Sequence, residues 1–389
     1  MEEITNIKIS ELCSKVCSGG TPKSSVPSYY DGNIPWLNTK EINFNRIYST
    51  EKSITEDGLN NSSAKWIDKN AVIVAMYGAT AGKTAISKIP LTTNQACCNL
   101  MIDADKADYR FVYYALVSEY NRLASLANGG AQQNLNAQQI KDFEIPFFSL
   151  KDQKRIANIL STLDDKIELN RRINDNLEQQ AQLLFDNLIN ASDWSTTQFL
   201  SELSEINPPR KLSKGEYAPF VEMSNMPTSG SFPSRIDYKE YNGGMKFRNG
   251  DTIMARITPC LENGKAAYVN FLKENEIGFG STEYIVLAPK KTISSSFLYF
   301  LVRNKEFVDY AVKHMNGSSG RQRVSGDTIG NYQLPILDRN KLSIFIAIAD
   351  RTLSKIRQNS FEIINLAKQR DTLLPKLMFG ELKINDLNC

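Results

Sequence analysis

Residues 160–188 read LSTLDDKIELNRRINDNLEQQAQLLFDNL. They lie in a run of about forty residues from Ser149 onward that contains neither Pro nor Gly. Apolar residues recur at Ile156, Leu160, Leu163, Ile167, Leu177, Ala181, Leu184 and Leu188. This is the alternating four-and-three spacing of a coiled-coil seam. Asn170 and Asn174 take two further seam positions, and a buried Asn there fixes register at a cost in stability. The run predicts one long amphipathic helix, roughly 60 Å long at 1.5 Å per residue.

The pattern returns 189 residues later. Lys166-Ile167 falls on Lys355-Ile356, Asn170 on Asn359, Leu177 on Leu366, Gln180 on Gln369 and Leu188 on Leu377. The second run, Lys341 to Leu382, carries Phe345, Ile348, Ile356, Ile363, Leu366 and Leu373, and ends near Pro375 and Gly380. Either helix alone has a face fit to pack on its own domain. Two at matching places predict an antiparallel pair, with Ile156, Leu160, Leu163, Ile167, Asn170 and Leu177 on one side of the seam and Ile356, Ile363, Leu366 and Leu373 on the other.

The register also holds just ahead of the helices, where Gln133 falls on Gln322, Leu135 on Val324, Ile140 on Ile329 and Pro146 on Pro335. Further upstream it survives with small indels. Val72–Ala75 resembles Thr252–Ala255, Gly82-Lys83 resembles Gly264-Lys265, and Phe111–Tyr114 resembles Phe297–Phe300. The chain reads as two copies of one unit. In each copy, short β-branched runs punctuated by Gly, Pro and Asn predict small sheets with long polar loops. A helix is expected near Tyr109–Ala127 and again near Ser296–Val312. The predicted fold class is α+β, with mixed α/β domains at 1–148 and 193–337, a spacer helix at 149–192, and a second helix and tail at 338–389.

Composition narrows the function. The apolar fraction of 41% is ordinary for a soluble protein, and no apolar run approaches the roughly 18 residues of a membrane span. The acidic opening Met1-Glu2-Glu3 is unlike a signal peptide, so a cytoplasmic protein with no membrane partner is expected. Cys13, Cys17, Cys97, Cys98, Cys260 and Cys389 form no C-x-x-C pair and read as free thiols. With His314 as the one histidine, a zinc site or Ser-His-Asp triad lacks its parts, and His314 reads as a surface residue. Asp164-Asp165 are adjacent on a helix and do not share a face, so they read as solvated or partner-facing. No catalytic residue, metal site or cofactor is expected in the chain.

A net charge of only +3 means that nucleic-acid binding has to come from local clustering. Lys69 to Ile102, Tyr120 to Lys141 and Tyr310 to Gly326 contain no acid. Asn and Gln can pair with adenine edges and Arg with guanine, while Lys mainly meets phosphate. The candidate DNA contacts are Gln132, Gln133 and Asn134 in the first copy and Arg321, Gln322 and Arg323 in the second. Asn38 and Lys40, beside a core Trp36, are added, with Arg256 after a strand end. Lys23, Tyr77, Thr80, Asn94 and Lys211 complete the set. Gly78–Thr84 imitates a phosphate loop but has three residues between its glycines where four are needed. A glycine-rich turn with Lys83 and Lys265 as phosphate contacts is preferred, and a plain hairpin turn stays open.

Several motifs resemble the specificity subunit of type I restriction-modification systems. They are Leu163-Asp164-Asp165-Lys166-Ile167-Glu168-Leu169-Asn170 with Leu177-Glu178-Gln179, and Leu373-Leu374-Pro375-Lys376-Leu377-Met378-Phe379-Gly380-Glu381-Leu382. The opening Gly19-Gly20-Thr21-Pro22-Lys23, then Ile34-Pro35-Trp36-Leu37, and Asn207-Pro208 add to it. The second copy departs by lacking Gly-Gly-Thr-Pro. The resemblance implies that each domain reads half of a split double-stranded DNA site. The helices would act as spacer and as dock for methyltransferase (modification) subunits, with restriction (motor and nuclease) subunits completing the complex. S-adenosylmethionine, ATP and Mg would serve those partners and not this chain. The alternatives are the recognition region of a type II restriction-modification enzyme, a P-loop nucleotide-binding enzyme, and a helical scaffold with no DNA role.

Overall fold

The chain is described from a computed structural model, which describes residues 5–127, 134–318 and 320–382. It divides into two compact units, one holding Met1–Asp165 with Leu366–Cys389 and the other Lys166–Asn365. Both long helices are therefore shared. Leu150–Asn190 leaves the first unit after Asp165, and Arg339–Met378 enters it at Leu366.

In the first unit a five-stranded sheet runs in the order Cys13–Ser18, Cys97–Ile102, Val72–Ala75, Thr84–Ser87, Asn45–Ile47. Every residue of Val72–Ala75 is buried, as a central strand covered on both faces requires. A four-stranded sheet holds Lys52–Ile54, Tyr30–Leu37, Leu91–Thr93 and Trp66–Ile67. Trp36 is core, as expected, and its indole donates to the Gly20 carbonyl at 2.9 Å. The Gly19-Gly20 motif has a steric cause: a Cβ on Gly20 would lie 2.1 Å from the backbone nitrogen of Ala64.

The second unit repeats the plan. One sheet runs Ser204–Ile206, Tyr284–Pro289, Thr252–Ala255, Ala266–Tyr268, and the other Asp237–Glu240, Tyr217–Val221, Ile277–Gly280, Lys246–Arg248. The strand register is reproduced. Cys97 pairs with Ala75 and Leu100 with Val72; in the second copy Tyr284 pairs with Ala255 and Leu287 with Thr252. The internal repeat is a repeat of hydrogen-bond register as well as of sequence.

Within each unit the two long helices pack side by side and antiparallel. In the second unit Asn170 donates to Glu362 at 2.9 Å, Asn359 donates to the Asn174 carbonyl oxygen at 2.8 Å, and the Phe185 and Phe345 rings lie 5.5 Å apart. In the first, Asp164 accepts from Arg370 at 2.7 Å. Ile156, Leu160, Ile167, Asn170 and Ile356 are buried, while Leu163, Leu177, Ile363, Leu366 and Leu373 are half-buried.

Three expectations need correction. Leu184 and Ile348 are exposed, and their neighbours Phe185 and Ala349 take the buried positions. An α-helix has 3.6 residues per turn, so a strict 3.5-residue seam drifts round it. Here the second domain draws the stripe toward itself, with Phe185 5.1 Å from Phe297. Each expected domain helix is also two helices, Tyr109–Ser118 with Tyr120–Ser125, and Ser295–Arg303 with Lys305–Lys313. Asn304 makes the second break by accepting from the Phe307 amide at 3.1 Å, a side-chain cap that restarts the helix. Finally, of the adjacent acids Asp165 is exposed, as expected, but Asp164 is largely withdrawn from water, its side chain 16% exposed. Asp164 also accepts the Tyr114 hydroxyl at 2.6 Å, and Asp165 pairs with Arg46.

Candidate nucleic-acid interface

In both units the central strand ends at one junction. The Leu135 amide donates to the Met76 carbonyl at 2.8 Å, and Tyr77 and Asn134 form an isolated antiparallel bridge. In the second unit Val324 donates to the Arg256 carbonyl at 3.0 Å, and Ile257 bridges Arg323. The loops singled out in the sequence are thus stitched to the end of the central strand. In the first unit this gathers Tyr77, Thr80 and Asn134; Tyr77 and Asn134 are exposed. Gln132 and Gln133 lie outside the described residues.

The turn after each strand is the same device. Gly78 and Gly82 have φ of 69° and 83°, and Gly264 has 68°, values that favour glycine. The Ala75 amide donates to the Lys83 carbonyl and the Ala255 amide to that of Lys265, both at 2.9 Å. The turn leads into the buried strand Thr84–Ser87. A phosphate loop has to open a helix, so that its amides converge on the anion; this turn does not. Both lysines have partners within their own unit. Lys83 donates to the Asn43 side chain at 2.8 Å, and Lys265 to the Met223 carbonyl at 2.7 Å. Each ammonium keeps further donors.

Asn94 donates to the Asn38 side chain at 2.8 Å, and Lys40 pairs with Glu51. Lys23 and Lys211 are exposed.

The second junction is charged where the first is neutral. Arg323 Nε and Nη2 donate to the Glu283 carboxylate at 2.9 and 2.7 Å, and Nη1 donates to the Arg321 carbonyl at 3.1 Å. Hydrogen bonding from Arg323 holds the Glu283 carboxyl below its usual range. The Arg256 amide donates to the Glu283 carbonyl at 3.0 Å, and its Nε is shielded from solvent without a hydrogen-bond partner among the described residues. Arg321 is exposed, and Gln322 contributes its carbonyl to the Thr258 amide at 3.1 Å. Sequence reasoning missed Glu283. The available signal was an acid opening the Tyr284 strand where Ala96 opens the matching one.

Among the described residues, no group of three or more His, Cys, Asp or Glu is arranged to hold a metal ion, and no helix is long and apolar enough to cross a membrane. His314 is exposed, with Nδ1 2.8 Å from the Tyr310 carbonyl.

Comparison with known proteins adds the decisive observation. The model of the family described as type I restriction modification DNA specificity domain matches twice, at residues 1–179 and 192–341. The chain belongs to this family. The two matched segments are the two repeats. The chain is 29% identical to the type I restriction enzyme MjaIX specificity subunit of Methanocaldococcus jannaschii, over 98% of this chain and 94% of that protein. It is 26% identical to a putative type I specificity subunit of Mycoplasma genitalium, over 79% of this chain and 81% of that one. The crystal structure of a type I restriction-modification S subunit from M. genitalium shares the fold, with a TM-score of 0.63, 20% identity and 97% of both chains covered. The relatives are named as specificity subunits, and the chain is accordingly a non-catalytic member of such a system.

Proposed function

We propose that the chain reads a split, asymmetric site in double-stranded DNA, one half with each recognition domain, and that its paired helices set the spacer and dock adenine methyltransferase subunits. Residues 1–148 and 193–337 are the readers; 149–192 and 338–389 are the ruler. Restriction subunits join the same assembly. S-adenosylmethionine, ATP and Mg serve the partner subunits, and base flipping exposes the target adenine inside the complex.

The observation that carries this reading is the junction at the end of each central strand. Its backbone bridge is common to both copies, whereas its side chains are Tyr77 and Asn134 in one and Ile257 and Arg323 in the other. A common scaffold with different side chains suits two different half-sites, and base edges are distinguished by donor and acceptor pattern. Against a P-loop enzyme stands the turn that opens a strand.

The test is selection from a random duplex library by the full chain with its modification subunits, with methylated adenines sequenced in cells with and without the gene. A bipartite, non-palindromic motif matching the gene-dependent methylation is expected. A single contiguous motif, or tight ATP binding by the isolated chain, would overturn the reading.

A further inference from the structure

The Arg323–Glu283 pair is absent from the first repeat, although the surrounding backbone is the same. The Tyr77–Asn134 bridge forms with Ala96 in the position of Glu283, and the Ala96 carbonyl accepts from Met76 at 2.8 Å just as that of Glu283 accepts from Arg256 at 3.0 Å. The junction therefore folds without an ion pair. Nor is the pair a core element, since its side chains are 40% and 26% exposed, and an ion pair so open to water adds little to stability. An acid placed at a surface meant for phosphate is unfavourable unless it does something for a neighbouring cation.

Its effect on Arg323 is geometric. A guanidinium carries five N–H donors in a planar fork. Glu283 takes the Nε–Nη2 side and the Arg321 carbonyl takes one hydrogen of Nη1. One N–H remains on each terminal nitrogen. The plane is held from two sides, so little rotamer freedom is lost when the remaining donors meet two acceptors. In a DNA groove the partner offering two adjacent acceptors is guanine, through O6 and N7.

We infer that Arg323, oriented by Glu283, reads one guanine in the half-site recognised by the second domain. Arg323 is the specificity-determining residue and Glu283 its positioning residue. The inference rests on the DNA-reading function proposed above and names one base within it.

Random-duplex selection by the full chain with its modification subunits tests it, for wild type, Arg323→Ala, Arg323→Gln and Glu283→Gln. The wild type is expected to show a G·C pair in the second half-site with ~10-fold or greater discrimination. Arg323→Ala erases the preference at that position alone, Arg323→Gln moves it toward A·T, and Glu283→Gln weakens it without changing the base. The first half-site is the internal control for folding and must persist in every variant. Unchanged selection in Arg323→Ala overturns the reader, and unchanged discrimination in Glu283→Gln overturns the positioning role. A wild-type chain that selects no sequence overturns the DNA-reading function itself. A variant that loses both half-sites is compared with Arg323→Lys, which keeps the charge but not the fork. Full discrimination in that variant overturns the guanine reading, and loss at one position supports it.

Discussion

Arg210 follows Pro208-Pro209 and donates to Asp251 at 2.5 Å, with side chains only 7% and 2% exposed. Taking a carboxylate out of water raises its pKa, and burial outweighs the guanidinium here, leaving the Asp251 carboxyl above its ordinary value. Removing the cation leaves a buried acid without its ion-pair partner, held by the Arg248 amide at 2.8 Å. Arg210→Leu should cost about 3–5 kcal/mol in urea denaturation, and Arg210→Leu with Asp251→Leu should recover most of it. Glu178 poses the same question with a pH dependence. It is withdrawn from water against the Tyr299 hydroxyl, and burial raises its carboxyl although Tyr299 and Arg303 favour the charged form and Asp175 opposes it. Because the folded value lies above the unfolded one, the native state holds the proton more tightly. The stability this brings is full below the unfolded value and falls as pH rises through the folded one. Glu178→Gln keeps an acceptor for Tyr299 and does not titrate. Thermal melts from pH 4 to pH 8 should show the Gln variant gaining on the wild type as pH rises. A difference that stays constant, or moves in favour of the wild type as pH rises, would remove burial as the cause.

At the scale of elements, Asn359 donates to Asn174 within the helix pair, and Asn359 itself is only 1% exposed. A buried amide without its partner costs about 1–3 kcal/mol. Asn359→Ala should destabilise by that amount, whereas Leu at both 174 and 359 should match or exceed the wild type and relax the register. Chemical denaturation measures the first effect, and cysteine cross-linking across the seam the second. These asparagines were legible because a polar residue in an apolar period stands out. The central strands were legible too: Val72–Ala75 and Thr252–Ala255 are buried runs at matching places. Leu184 was misassigned because heptad spacing alone does not register the domain that packs on the helix from the side. Glu283 was legible as an acid opening its strand, but its role was not, because that role depends on Arg323, 40 residues away, and pairing across that distance leaves no local period. Lys83 and Lys265 read as phosphate contacts from their glycine-rich turns; the hydrogen bonds they make to Asn43 and Met223, in loops about forty residues upstream, have no signature in the local sequence.

At the scale of the whole molecule, the first unit needs residues from the far end of the chain. Leu374, Leu377 and Met378 are buried in one cluster with Ile156, Ala157 and Leu160. Burial of such side chains is worth about 1.5–3 kcal/mol each, so losing all three takes much of a typical stability of roughly 5–15 kcal/mol. A fragment ending near Ser192 loses them. The repeat supplies replacements, because Phe185, Leu188 and Ile189 stand 189 residues before Leu374, Leu377 and Met378. A second copy of the fragment can cover Ile156, Ala157 and Leu160 with them, while Asn170 takes the place of Asn359 opposite Asn174. The fragment should sediment as a dimer and select an inverted repeat of the first half-site. A monomer, or a dimer selecting no inverted repeat, would contradict this. The substitutes do not fit equally well. Phe185 replaces a leucine on a packed surface, and overfilling a core costs about 1–3 kcal/mol. Phe185→Leu should therefore tighten the fragment dimer, read as a lower dissociation constant by sedimentation. In the full chain, where Phe185 is fully buried against Phe297 and Phe345, the same change should lower stability.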